Sequence, residues 1–340
     1  MNLFKFGSFL LLLGLIGCAE DVDRFTPDER VEEPLVGEIG RFFEAVGTDA
    51  FSETFNEHID WGTRIITQHQ TIIDIPAEAF EDDAGNICTG IVEIQVIELR
   101  TPGEILLAGI QTTSYDNLLS SAGEFYLSVR QNGQEVNLRP GKQIRWRVND
   151  PDPQERMELW YPVSETDPVT GQVVRTWDDA DDDPDTWDNV MITEWEVFQD
   201  STQGGWITGF GYECWSDSLK WINIDLFLDI PEEDRTDVCV DLPAGYGNVN
   251  TAVFLVFHDF NGIIHLPGNP ETMQFCNYYT QFITVGVPIG APVSFVVISE
   301  QGEDCYHFAL SETVIEENHL EMLSPEKLSF EEIKEIIMGL

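Results

Sequence analysis

The chain is 340 residues long and carries 62 acidic against 17 basic side chains, a formal net charge of −45. That excess repels phosphate backbones and anionic bilayers, which argues against nucleic acid and against direct adhesion to anionic membrane. Solubility is its first use, and divalent cations or basic partners are what it would attract. The length suffices for about two domains, each with its own core.

The amino terminus has one positive charge, Lys5, ahead of an apolar run over residues 9–16. The run is far shorter than the ~20 residues that cross a bilayer, so residues 1–17 read as an export signal. Leu15-Ile16-Gly17-Cys18 resembles the bacterial lipobox, in which a small residue precedes a cysteine that is acylated. The resemblance implies a lipoprotein held to the outer membrane by a lipid anchor on Cys18. Directly behind it, Glu20, Asp21 and Asp23 resemble the export tag of Bacteroidetes-type surface lipoproteins, which implies display at the cell surface. Residues 18–59 are acidic and turn-rich, with a short helix expected over 36–46, and read as a tether.

Residues 60–150 alternate with a period of two. Val92, Ile94 and Val96 share one face, as do Phe125, Leu127 and Val129, and Ile144, Trp146 and Val148. Turn formers at Asp83-Ala84-Gly85-Asn86, Pro102-Gly103, Asn132-Gly133 and Pro140-Gly141 separate these segments, which predicts hairpins and a first antiparallel sandwich. Ile75-Pro76 with Ala79, followed by Leu119-Ser120, Gly123 and Phe125, resembles the zona-occludens/netrin-receptor β-sandwich module. That resemblance implies a binding or scaffolding module and brings no catalytic residue with it.

Prolines 151, 153, 162, 168 and 184 break the pattern over residues 151–190, an acidic insertion with one strand expected over 157–163. Within it Asp179, Asp181, Asp183 and Asp185 alternate, an arrangement that brings carboxylates together on a hard cation, so this loop is the candidate calcium site. Pro184 and Val190 stand where an EF-hand needs glycine and glutamate, which excludes that motif.

Alternation resumes over 191–315, the expected second sandwich. Residues 252–257 are an unbroken apolar run, as in a strand covered on both faces. Asn261-Gly262 reads as a two-residue turn, which sets His258 opposite His265 as a candidate transition-metal pair. Eight of nine tryptophans lie between Trp146 and Trp221. Trp206, Tyr212, Trp215 and Trp221, interleaved with polar residues, are candidates for stacking on sugar rings, though core packing uses the same residue types.

Apart from Cys18, five cysteines remain, none in a CxxC pair, so at most two bridges form. Residues 324–340 predict a helix opened by a Ser329/Glu332 capping box, with Phe330, Ile333, Ile336, Ile337 and Leu340 on one stripe. Phosphate-binding loops, nucleophile elbows and metalloprotease motifs do not occur, and no catalytic residue stands out. The expected molecule is therefore mainly β, two antiparallel sandwiches in tandem, a non-enzymatic envelope lipoprotein that serves adhesion or scaffolding or binds a glycan or an envelope protein. The alternative is a surface hydrolase or glycan-processing lipoprotein built on the Trp-rich region.

Overall fold

Period-two alternation fixes which side of each strand is buried, and the burial follows it. In the computed structural model, which describes residues 39–166, 173–180, 189–199, 205–268, 272, 274–280 and 283–340, Val92, Ile94, Val96, Phe125, Leu127, Val129, Ile144, Trp146 and Val148 are all buried in one core. One sheet has the strand order Ser52–His58, Ile91–Leu99, Asn117–Gln131, Lys220–Phe227, Glu158–Thr166 and Val173–Asp179. Facing it lies a sheet ordered Val190–Gln199, Gly205–Ser216, Ile144–Asn149, Ile72–Ile75 and Thr63–Ile66. Every ladder in these two sheets is antiparallel.

The second sandwich pairs Ile263–Leu266, Thr251–Phe257, Pro292–Glu300, Tyr306–Val314 and Glu326–Leu328 in one sheet. The opposing sheet holds Gln274–Cys276, Val238–Asp241 and His319–Met322, the last pair parallel. Cys239 and Cys276 face each other across a rung and form a disulfide, while Cys88, Cys214 and Cys305 are free thiols.

All seven residues of Thr251–Phe257 are buried, as the apolar run predicts. Val253, Leu255 and Phe257 fill the second sandwich. Ala252, Phe254 and Val256 point the other way, into a middle layer shared with Trp160, Trp177 and Trp221 of the first sandwich. Each such large side chain contributes about 1.5–3 kcal/mol by leaving water, so the two-sided strand is a principal source of stability.

Three helices complete that middle layer: α1 (Gly40–Val46), α2 (Pro102–Leu107) and α3 (Phe330–Met338). The Ser329/Glu332 capping box of α3 is present, with Ile333 and Ile337 buried and Ile336 turned outward. At Pro102-Gly103, where a hairpin is expected, α2 begins instead. Its own capping box, Thr101 with Glu104, satisfies the first amides. A Cβ on Gly103 would fall 2.2 Å from the Ile337 carbonyl oxygen, so glycine is what allows α2 to lie against α3.

The ladders also divide the chain differently from the sequence reading. Ser52–His58, within the expected 18–59 tether, is an edge strand of the first sandwich. Glu158–Thr166 and Val173–Asp179, within the expected 151–190 insertion, belong to the same sheet. Strands 190–227, expected in the 191–315 module, complete the first sandwich as well. Alternation marks a segment as a strand but not its partner, and these pairings join residues distant in sequence.

Candidate functional site

The outward face of the first sandwich's smaller sheet carries the candidate site. Ile144, Trp146 and Val148 turn into the core, so Arg145 and Arg147 between them must turn out. Rungs set Arg145 beside Asp74 and Trp215, and Arg147 beside Glu213 and Ile72. Arg64 sits on the next strand, opposite Asp74.

These side chains form a continuous ladder. Arg64 Nε donates to Asp74 Oδ1 at 2.6 Å, and Arg147 Nη1 donates to Asp74 Oδ2 at 2.8 Å. Arg147 Nε reaches Glu213 Oε2 at 3.3 Å, and Arg145 donates from Nε and Nη2 to Glu213 Oε1 at 2.9 and 2.6 Å. All four carboxylate oxygens are therefore committed to guanidinium donors, and Arg147 and Glu213 are almost wholly buried. Removing one partner of a buried pair of this kind strands the other charge at a cost of about 3–5 kcal/mol.

Beside the ladder runs an open groove of about 490 Å³, lined among others by Trp61, Thr63, Arg64, Asp74, Arg145 and Trp215. Trp61 is 91% exposed and Trp215 36%. Arg145 lies over the Trp215 ring at 5.4 Å, a cation–π contact that favours this orientation of the indole. A tight turn presents Trp61: the Gly62 amide donates to the Ile59 carbonyl, and Gly62 has φ +79°. A Cβ there would lie 2.8 Å from the Ile75 carbonyl oxygen, so glycine is required twice over, by conformation and by space.

Of the four aromatics proposed from the sequence, only Trp215 lines this groove. Tyr212 is buried in the core and donates no face to solvent, while its hydroxyl accepts the Gln154 amide. Trp221 is buried in the middle layer. Trp206 is 65% exposed but packs on Phe198 in the hairpin beyond the last rung to Ile144–Asn149, and alternation sets it on the opposite face from Trp215. Trp61, Arg64, Asp74 and Arg145 were missed. Their signal in the sequence was slight: Trp61 is the one tryptophan outside the cluster, and two arginines alternate in a strand of a strongly acidic chain.

The histidine pair does not form. The connection after Thr251–Phe257 is longer than two residues, because the Phe257 amide bonds the Gly262 carbonyl. The register therefore slips by four: His265 faces Phe254, not His258. His258 bonds the Ser294 hydroxyl instead, and burial pushes His265 down to about 4, so it stays neutral. Of the calcium candidates, Asp179 ends a strand opposite Trp160, whereas Asp181, Asp183 and Asp185 lie outside the described residues, as does Cys18. Among the described residues no group of His, Cys, Asp or Glu is placed to hold a metal.

A second polar cluster sits beneath the middle layer. Ser121, Asn223 and Asp225 are hydrogen-bonded to one another, with Glu124 beside Asn223 on the neighbouring strand. Burial pushes Asp225 up to about 8, and it pushes Glu124 well above the carboxylate range, with Asp225 adding to the effect. Both side chains are fully buried, and burial favours the protonated form of each. Comparison with known proteins gives no family model that matches the chain and no curated relative.

Proposed function

We propose that the chain is an exported, non-enzymatic lipoprotein, anchored to the outer membrane through Cys18 and displayed at the cell surface, whose first sandwich binds glycan. The observation that carries this reading is the pair of exposed indoles, Trp61 and Trp215, flanking a polar groove on a rigid sheet. An indole left in water forgoes about 2 kcal/mol of burial. Two of them flanking hydrogen-bonding groups offer flat apolar faces for sugar rings and polar partners for the hydroxyls. The module resemblance supports the binding role, and the lipobox supports the location.

Hydrolysis is the weaker reading. Glycoside cleavage requires one carboxyl to give a proton and another to act as base or nucleophile. Asp74 and Glu213 are the acids of this face, and their oxygens are all spent on guanidinium bonds. Electrophoresis of the protein through gels carrying polysaccharides tests the proposal. Migration should be retarded by at least one glycan, and Trp61→Ala and Trp215→Ala should each abolish the retardation. Retardation by none, or release of sugar from a retarding glycan, would contradict it.

A further inference from the structure

The groove's charge is at odds with that of the molecule. The ladder brings three guanidinia to two carboxylates, and the groove itself is lined by Arg64 and Arg145 against Asp74 alone. The whole chain has 62 acids to 17 bases. Internal pairing does not use up this cationic capacity. Arg64 spends only Nε on Asp74, and Arg145 spends Nε and Nη2 on Glu213. Among the described residues, Nη1 and Nη2 of Arg64 and Nη1 of Arg145 have no hydrogen-bond partner. Hydroxyl groups of a neutral sugar are served equally well by amides, and do not call for guanidinium. Anionic oxygens do, since charge-assisted bonds to a planar fork are about twice as strong as neutral ones.

We propose that the groove recognises an acidic saccharide, with sugar rings against Trp61 and Trp215 and a carboxylate or sulfate group on Arg64 and Arg145. This rests on the glycan-binding reading above and narrows it. The surrounding negative surface then acts as a filter: it repels polyanions in general, and only one whose rings fill the groove gains enough to stay.

The test measures binding of the full chain, in a detergent without sugar headgroups, to polygalacturonate, a sulfated galactan, and the neutral polymers dextran and galactan. Binding to a uronate or a sulfated polymer and not to its neutral counterpart is expected, and the two acidic arms tell which anion is taken. Arg64→Gln, which leaves Asp74 bonded to Arg147, should weaken that binding by about 10- to 100-fold, the worth of a hydrogen bond to a charged group. Arg64→Lys should restore part of it. Trp61→Ala should abolish it, whereas adhesion of polyanions elsewhere would survive that change and overturn the inference. Neutral glycans bound as tightly as acidic ones, with Arg64→Gln silent, would also overturn it while leaving the glycan reading intact. Binding of no glycan would sink both.

Discussion

Trp61 and Trp221 are the same residue type put to opposite uses, and only their surroundings tell them apart. The first stands in water on a glycine turn; the second is packed against Tyr126 in the middle layer. Asp225 shows what such surroundings do to an ionisable group. Burial holds its carboxyl up near about 8 in the folded chain, while an unfolded chain releases the proton near 4. Between those values the folded state keeps a proton the unfolded state has lost, so stability falls as pH rises through that window, by up to ~1.4 kcal/mol per pH unit. Asp225→Asn, a neutral isostere, should make that slope shallower in chemical denaturation at pH 5 to 8, leaving the share that Glu124 contributes. Parallel curves for the two proteins would mean that Asp225 is already charged. Nothing in the sequence marks Asp225 among 62 acids, because its burial depends on a rung formed with Ser121 a hundred residues away.

At the scale of elements, the buried faces are readable in the sequence and the arrangement on the exposed faces is not. Alternation in residues 92–96, 125–129 and 144–148 gives the core directly, and the Asn132-Gly133 turn, with positive φ at both residues, closes its hairpin as expected. The same alternation fixes Arg145 and Arg147 outward, yet an outward arginine in a sequence looks like any solvated charge. Its meaning comes from Asp74 and Glu213, supplied by two other strands. The His258/His265 register failed for a local reason, a connection longer than its Asn-Gly suggested. The turn that carries Trp61 is the element on which the groove depends. Gly62→Ala forces a Cβ onto the Ile75–Ala77 backbone at a positive φ, which should cost about 1–3 kcal/mol in unfolding free energy. Because that strain moves Trp61, glycan retention should fall along with stability. A stable Gly62→Ala protein with unchanged retention would place the binding elsewhere.

At the scale of the molecule, two sandwiches share a helical middle layer that packs on the larger sheet of the first, so the groove on the smaller sheet faces away from the second sandwich. No helix among the described residues is long and apolar enough to cross a membrane. The proposed attachment rests on Cys18: Cys18→Ser should shift the protein from the detergent phase to the aqueous phase in a detergent partition and stop incorporation of labelled fatty acid. Wild-type protein that carries no label would end the lipoprotein reading. The central proposal, that the Trp61–Trp215 groove is the glycan site, is tested most directly by oxidative footprinting of exposed tryptophans, read residue by residue by mass spectrometry. Trp206, exposed on the other face of the distal hairpin, is an internal control for any quenching by the sugar itself. With a bound polysaccharide, oxidation of Trp61 and Trp215 should drop relative to Trp206. Unchanged ratios, or protection confined to Trp206, would contradict the assignment of the groove.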